Sequence, residues 1–265
     1  MSLKACVLAS GSSGNALLVK GPEGAVLLDA GLTLKDLGRR LNAVGCDPDE
    51  VRGVLVTHGH GDHVSGAGHL ARRLDIPVWL SRGTAEESAQ RWRGSEDLRV
   101  VKAGECFTVA GIDMDCWACS HDTREPLQFG FRVGEASAAL CTDLGEADPV
   151  VRQALCHRTL LFVESNHDPE ILRRGAYPPH LKRRILGSQG HLSNAQCATL
   201  LQDVAGPRLQ GVVLSHLSRE NNRPELALDV ASQALAESGF GHVKVWVGDP
   251  FTPGPWLDVF SGHTC

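Results

Sequence analysis

Long apolar stretches are missing from this sequence of 265 residues. No run approaches the roughly 18 apolar residues that a membrane-spanning helix needs. Residues 5–9 are apolar, but a run this short, with little positive charge before it, is not typical of a secretory signal peptide. There is also no low-complexity linker and no repeat of fixed period. We therefore expect a cytoplasmic protein without a membrane partner, folded as a single domain over residues 1–265.

A strong charge bias is also absent, since 26 Lys and Arg stand against 31 Asp and Glu, for a net charge of −5. This balance excludes a general polyanion binder of the histone kind, so any contact with nucleic acid needs a local basic patch. Apolar residues make up 42% of the chain, which is enough for a packed core. The nine cysteines are an odd number in a chain too large to need disulfide bonds, and they predict reduced thiols.

The periods of apolar residues predict strands and helices that alternate at both ends of the chain, with mostly strands in the middle. Strands are expected at 4–9, 16–20, 25–29, 54–56, 77–80, 106–119, 127–133, 136–142, 159–163, 210–215 and 243–247. Helices are expected at 34–44, 64–74, 83–92, 147–155, 169–174, 179–186, 193–205 and 223–237. This order predicts a mixed α/β fold with two similar halves.

The chain has twelve histidines, and four side chains that can bind metal fall within six residues, directly after the apolar run 54–56. The segment reads Thr57-His58-Gly59-His60-Gly61-Asp62-His63. In an extended loop His58 and His60 point to one side, while the adjacent Asp62 and His63 can turn toward a neighbouring point. This geometry suits two metal ions, and each half-set needs further ligands from elsewhere in the chain.

Further ligand candidates follow three of the predicted strands. His121, Asp143 and His216 each stand where a strand gives way to a loop. Because residues at strand ends can share one edge of a sheet, distant positions can converge there. An isolated histidine of this kind is more often a surface or core residue, but seven such side chains together favour a metal site. Asp29, at the end of another strand, is either an outer partner of a ligand histidine or a turn residue.

The H-x-H-x-D-H segment and the three later positions resemble the metallo-β-lactamase superfamily over almost the full chain. The resemblance implies an α/β fold of four layers, an αββα sandwich, with a dinuclear site at one edge. The implied ligands are His58, His60 and His121 on one ion, Asp62, His63 and His216 on the other, and Asp143 as a bridge. Gly59 and Gly61 differ from the bulkier or polar residues often found at the two x positions. Histidine and carboxylate ligands suit Zn, Mn or Fe.

The second half of the chain bears on the substrate, because the superfamily hydrolyses lactams, thioesters and phosphodiesters and also reduces oxygen at iron. Three segments resemble the nucleic-acid phosphodiesterase branch that includes tRNase Z: 164–168, 190–194 and 215–220. Together with segments 8–15 and 181–187, they most resemble the YycJ/WalJ-like proteins, which are regarded as DNA 5′-to-3′ exonucleases. The resemblance implies an exonuclease, whereas the residues themselves indicate only phosphodiester hydrolysis beside a basic surface.

Phosphodiester hydrolysis needs an activated water, charge stabilisation at the phosphoryl oxygens and a proton for the departing alkoxide. Two metal ions meet the first two needs, and Asp62 is therefore counted as catalytic as well as metal-binding. For the proton we nominate His191 as general acid, held in the correct tautomer by Glu164, because a carboxylate partner raises the basicity of an imidazole. The alternative for His191 is a capping role at the start of the following helix, near Ser193 or Asn194.

A local positive charge precedes His191. Between Ile171 and Gln202 there is no Asp or Glu, but there are five cations: Arg173, Arg174, Lys182, Arg183 and Arg184. Phosphate contacts dominate nucleic-acid affinity, so Lys182, Arg183 and Arg184 are the predicted substrate-binding residues. The alternative is a solvated helix face. Tyr177 is the only aromatic residue nearby, and base stacking is therefore not supported.

The leading hypothesis is a dinuclear metal-dependent phosphodiesterase acting on nucleic acid, with DNA favoured over RNA. The main alternative is a glyoxalase II-type thioester hydrolase, which uses the same metals but needs neither the Glu164/His191 pair nor a basic stretch. A flavodiiron-type oxygen reductase lacks its flavin domain here, a lactamase is disfavoured by the missing export signal, and a non-catalytic metal binder predicts gaps in the ligand set. The sequence leaves the metal, the polarity of cleavage and the oligomeric state open.

Overall fold

Two seven-stranded β-sheets lie face to face in the computed structural model, which describes residues 2–94 and 96–260. The first sheet contains, in spatial order, β14 (Leu257–Val259), β1 (Leu3–Ala9), β2 (Ala16–Gly21), β3 (Gly24–Leu28), β4 (Val51–Leu55), β5 (Val78–Leu80) and β6 (Leu98–Val100). The second contains β13 (Lys244–Val247), β12 (Gly211–Ser215), β11 (Leu160–Glu164), β10 (Ala136–Cys141), β9 (Leu127–Val133), β8 (Ile112–Ala118) and β7 (Cys106–Val109). Each sheet joins antiparallel strands to a parallel half, β3 to β6 in one and β10 to β13 in the other.

Helices cover the outer face of each sheet. In chain order, the α-helices of the described residues are α1 (Leu34–Ala43), α2 (Gly61–Val64), α3 (Ala67–Leu74), α4 (Arg82–Glu87), α5 (Pro149–Leu155), α6 (Pro169–Arg174), α7 (Pro179–Leu186), α8 (Asn194–Val204) and α9 (Pro224–Glu237). Apolar residues of α1 and α3 pack on the first sheet, and those of α5, α8 and α9 pack on the second. The result is the four-layer αββα sandwich that the resemblance implied. Among the described residues, no helix has the length and apolar character to cross a membrane.

The central core lies between the two sheets, where the inward side chains of both exclude water. Phe129 and Phe131 of β9 and Phe162 of β11 are fully buried there, against apolar side chains of the first sheet such as Leu28 and Leu55. Alternate residues of β9 reach this core because successive side chains in a strand point to opposite faces.

Strand direction brings the ends of several strands to one edge of the sandwich. β8 is antiparallel to β9 and β9 to β10, so that β8 runs in the same direction as β10, β11 and β12. Residues that follow these four strands therefore share one edge of the second sheet. The parallel strands β3 and β4 end at the same place, since the N–H of Leu127, at the start of β9, donates to Thr57 O at 2.8 Å.

The predicted elements differ from the structure mainly at turns. The expected strand 106–119 is a hairpin of β7 and β8, because Ala110 and Gly111 both adopt positive φ angles, 54° and 70°. The sequence has no Asn-Gly pair there that would predict a hairpin turn. The expected helix 64–74 is divided at Gly66 into α2 and α3, and the one at 83–92 ends at Glu87 as α4. The short edge strands β6 and β14 were not expected.

Candidate metal centre

Three histidine rings converge at the shared edge. His60 Nδ1 lies 3.3 Å from His121 Nε2, and His58 completes the group. His121 donates its other N–H, on Nδ1, to Gly190 O at 3.1 Å, and His58 Nδ1 lies 2.9 Å from Thr57 Oγ1. These bonds leave Nε2 of both rings for a ligand, since the hydrogen bond of one ring nitrogen determines the role of the other. His58 Nε2 is in fact buried with no hydrogen-bond partner in the part of the chain that the structure describes.

A second group forms beside the first from Asp62, His63 and His216. Asp62 Oδ2 lies 3.6 Å from His63 Nε2 and 3.4 Å from His216 Nε2. His63 donates Nδ1–H to Asp29 Oδ2 at 2.7 Å, so that its Nε2 faces Asp62. Asp29 also accepts the backbone N–H of Thr57 at 2.8 Å. The structure thus gives Asp29 the outer contact to a ligand histidine that the sequence left open against a turn role.

Asp143 lies between the two groups. Its Oδ2 is 3.0 Å from His63 Nε2, and its Oδ1 is 3.7 Å from His121 Nε2. Oδ1 also lies 3.4 Å from His216 Nδ1. The carboxylate therefore lies beside both groups, which is the position of the bridge that the resemblance implied. The structure brings all seven predicted ligands into one cluster.

Three residues of this centre have positive φ angles at strand ends. Asp29, Asp143 and His216 have φ of 63°, 51° and 55°. Such a conformation is uncommon for residues other than glycine, and it persists where the surroundings hold it. For His216 the holding contact is its backbone N–H, which donates to Ser10 Oγ at 2.7 Å.

The buried charges of the cluster suit divalent cations. Burial alone would raise the pKa of Asp143, but His216 and His63 hold it well below its ordinary value. Burial together with the charge of His63 lowers the pKa of His58 well below its ordinary value, so this ring is neutral and keeps a lone pair. Ionised carboxylates, neutral imidazole and the unpartnered His58 Nε2 are the donors that a bound divalent metal requires. The residues present therefore fit the metal ions that the ligand pattern implies.

Glu164 connects His191 to this cluster. Its Oε1 lies 2.7 Å from His191 Nδ1 and 3.0 Å from His216 Nδ1. Its Oε2 accepts the backbone N–H groups of Leu144 and Leu192 at 2.9 and 3.0 Å. Burial raises the pKa of Glu164, but the charge of His191 and the hydrogen bonds to His191 and His216 outweigh burial and lower the pKa to about 2. Sequence reasoning anticipated the contact with His191 and missed the one with His216.

The side chain of His191 is oriented toward the centre. Burial lowers its pKa, but the neighbouring carboxylate of Glu164 outweighs burial and raises it above the ordinary value. About 18% of the side chain stays exposed. The N-cap of α8 is Ser193, which accepts the N–H of Gln196, so His191 does not serve as the cap.

The turn at 10–15 supports the second group. Asn15 Nδ2 lies 3.0 Å from His63 Nε2 and 3.5 Å from Asp62 Oδ2. Asn15 Oδ1 accepts the N–H of Gly11 at 2.8 Å, which orients the amide toward the centre. A Gly/Ser-rich turn that ends in Asn is a common local pattern, so the sequence carried no signal for this contact.

Gly59 has a local reason to be glycine. A Cβ built at this position would come within 2.5 Å of Glu87 Oε2, at the end of α4. The carboxylate of Glu87 also accepts the backbone N–H of Arg124 at 3.2 Å. The departure from the bulkier residues of the family therefore makes room for a side chain from another element.

The predicted basic residues are not equivalent in the structure. Lys182 Nζ donates to Arg173 O and Gly175 O, both at 2.7 Å, and so closes the end of α6. Arg183 is exposed on α7. Arg184 Nε is hydrogen-bonded to Asp122, whose Oδ1 lies 3.5 Å from His121 Nε2.

Part of the local charge is neutralised. Arg173 and Arg174 both pair with Glu170, one residue before the stretch that lacks acidic side chains. Arg184 is thus the predicted cation that the fold brings to the metal centre, and sequence spacing alone did not reveal its partner Asp122.

Comparisons with known proteins agree with this architecture. A family model described as the metallo-beta-lactamase superfamily matches residues 9–150. Exodeoxyribonuclease YycJ of Bacillus anthracis is 36% identical over 260 residues, which cover 95% of this chain and 94% of that protein. Exodeoxyribonuclease WalJ of Streptococcus pneumoniae serotype 2 is 33% identical over 267 positions, which cover 98% of this chain and 99% of that protein.

Two solved structures share the fold at low identity. The metallo-beta-lactamase fold protein YhfI of Bacillus subtilis has a TM-score of 0.73 at 12% identity, covering 97% of this chain and 100% of that one. The short form of human tRNase Z has a TM-score of 0.63 at 13% identity, covering 95% and 98%. At such identity the likeness concerns the fold alone.

Proposed function

Because the chain belongs to the metallo-β-lactamase superfamily, we propose that this metal-dependent hydrolase is a dinuclear 5′-to-3′ DNA exonuclease. The observation that carries the proposal is the Glu164/His191 pair at the edge of a complete ligand cluster, because a phosphodiesterase needs a general acid there. The relatives named exodeoxyribonuclease, at 33–36% identity over nearly the full chain, support DNA as the substrate.

In the proposed mechanism, the residues of the centre have different roles. Divalent ions, Zn or Mn with Fe as a further option, supply an activated water and neutralise charge on the phosphoryl oxygens when bound by His58, His60, Asp62, His63, His121, Asp143 and His216. Glu164 holds His191 by its Nδ1, so that the second ring nitrogen can carry the proton for the departing 3′ oxygen. Arg184 is placed by Asp122 to contact a phosphate of the substrate.

End-labelled DNA tests the function directly. Metal-stripped protein refilled with Mn or Zn is incubated with duplex DNA labelled at the 5′ or the 3′ end, and with matching RNA. We expect stepwise release of nucleotides from the 5′ end of DNA, with Asp62→Ala inactive. Rapid thioester hydrolysis without cleavage of either nucleic acid would instead support the glyoxalase II-type alternative.

The role of His191 is tested with two leaving groups. We expect His191→Ala to lose about 10²- to 10⁴-fold in kcat on DNA, whose leaving alkoxide needs a proton. On a nitrophenyl phosphodiester, whose leaving group needs none, the loss is expected to stay within a few fold. His180→Ala, on the exposed part of α7, is the matched control. Equal losses on both substrates would exclude the acid role.

Location and domain organisation follow as smaller proposals. The eight cysteines among the described residues are all free thiols, which supports the reducing cytoplasm as the site of action. One central core shared by both sheets supports a single domain.

A further inference from the structure

An exposed aromatic ring stands beside a cation in the loop that follows β13. Phe251 is 55% exposed, and Arg219 Cζ lies 4.8 Å from the centre of its ring. Single exposed apolar side chains are common on protein surfaces, so exposure alone carries no argument. What distinguishes this ring is its support and its position.

The backbone that carries Phe251 is held from two sides. The N–H of Phe251 donates to Asp249 Oδ1 at 2.7 Å. Arg40, only 5% exposed, donates to Pro250 O at 3.0 Å and to Leu8 O at 2.6 Å. A buried guanidinium thus ties the loop to β1, and the ring is presented by an ordered backbone.

The same loop is tied to the metal centre. Ser10 N donates to Asp249 O at 3.1 Å, and Ser10 Oγ accepts the backbone N–H of His216 at 2.7 Å. Arg219 follows His216 by three residues, so the two Cα atoms lie within about 11 Å of each other. The segments that carry Phe251 and Arg219 are therefore both tied to His216 of the second group, whereas Arg184 is hydrogen-bonded to Asp122 beside His121 of the first group.

We propose that Phe251 and Arg219 form a stacking site for the terminal nucleobase of the DNA strand that is hydrolysed, an inference that rests on the proposed nuclease function. Every base has a π face, so an aromatic platform with an adjacent arginine accepts any sequence. Arg219 can also pair with a phosphate while its guanidinium lies over the ring. A base site beside the cleavage centre favours strand ends, which an exonuclease requires.

Neighbouring sequence gave no sign of this site. Tyr177 is the only aromatic residue near the basic stretch, and base stacking was not supported on that ground. The fold fixes the loop that carries Phe251, beyond β13, through the contacts of Asp249 with Ser10 and of Pro250 with Arg40.

The test compares ordinary duplex ends with ends that carry an abasic nucleotide. For Phe251→Ala we expect KM to rise about five- to 150-fold on ordinary ends, the range for loss of one stacked base. The kcat is expected to change by less than about twofold, and Phe251→Trp to keep the low KM. On abasic ends wild type and Phe251→Ala should have the same KM. Phe260→Ala is the matched control, because Phe260 is 59% exposed beside Val259, which pairs with Leu3 at the far end of β1.

The outcomes separate this inference from the proposed function. An unchanged KM on ordinary ends, or an equal rise on abasic ends, would overturn the stacking site while DNA hydrolysis by the wild type still supports the nuclease. If the wild type hydrolyses no DNA, the proposed function fails, and binding of DNA with 2-aminopurine at its end decides the inference. Binding should change the 2-aminopurine fluorescence with the wild type and with Phe260→Ala, but not with Phe251→Ala. The same change with Phe251→Ala as with Phe260→Ala overturns the stacking site.

Discussion

His167 is a buried histidine whose charge the fold disfavours. It is 1% exposed, and neither ring nitrogen has a hydrogen-bond partner among the described residues. Burial lowers its pKa from the ordinary 6.5 to about 4, with Glu164 opposing part of the shift. As the pH falls, the unfolded chain therefore binds a proton before the folded protein does. The stability that depends on a neutral His167 is fully present above pH 6.5 and should be lost progressively between about pH 6.5 and pH 4.

We predict that His167 lowers the free energy of unfolding by about 2 kcal/mol when the pH falls from 7 to 5. Urea unfolding of the metal-free protein at both pH values measures this, since it removes loss of metal from the comparison. In His167→Gln, the free energies of unfolding at pH 7 and pH 5 should differ by about 2 kcal/mol less than in the wild type. His180→Gln, at an exposed site on α7, should behave as the wild type. The same pH dependence in both variants would contradict the assignment.

The helix α1 offers a matched pair of glycines at the scale of one element. Gly38 lies in its interior, and Gly45 follows its end with a φ of 69°. A Cβ at either position would meet no other atom of residues 2–94 and 96–260 within 4 Å, so substitution tests the backbone alone. Gly38→Ala should stabilise the protein by about 0.5–1 kcal/mol, because glycine is a poor helix former.

Gly45→Ala should destabilise the protein by about 1–2 kcal/mol, because an alanine at positive φ is strained. Urea unfolding of both variants at one pH measures the pair. Changes of the same sign at the two positions would show that α1 does not end as the structure describes.

Two substitutions in the basic helix α7 should have different effects. Arg183→Ala should weaken DNA binding and reduce its slope against log salt by about 0.9, with an unchanged melting temperature. Lys182→Ala should also lower the melting temperature, because Arg173 O and Gly175 O lose their donor. Lys35→Ala, on the exposed face of α1, is the control for general loss of charge. An unchanged salt slope in Arg183→Ala would remove Arg183 from the substrate-binding set.

At the scale of the whole molecule, the proposed metal ligands come from both sheets. His58, His60, Asp62 and His63 follow β4 of the first sheet, while His121, Asp143 and His216 follow β8, β10 and β12 of the second. Ions held by both sets would stabilise the folded state, since the unfolded chain offers no such site.

We therefore predict that free metal at 100 times its Kd raises the free energy of unfolding over the metal-free protein by about 2.7 kcal/mol for each ion bound. Chemical unfolding with Mn or Zn, and after chelation, measures the gain. His216→Ala should lose much of it, whereas His69→Ala, outside the cluster on α3, should keep it. A gain that His216→Ala retains in full would place the metal elsewhere.

Much of the fold and the identity of the predicted ligands were accessible from local sequence. His58, His60, Asp62 and His63 stand in one short segment, and His121, Asp143 and His216 follow strands whose apolar period is clear. A strand pattern and a rule about strand ends are enough to suggest that such residues converge. The hairpin at Ala110 and Gly111 was missed because its positive φ angles carry no glycine or asparagine signal at the first position.

The sequence by itself determined the residue types at the centre, because spacing within a loop and the period of a strand are local properties. Only the tertiary structure decided which other side chains reach them. Glu164 also contacts His216, Asn15 contacts His63, and Arg184 contacts Asp122, in each case across many residues of chain. Such pairs depend on the packing of one sheet on the other and of helices on sheets, and no local spacing encodes that packing.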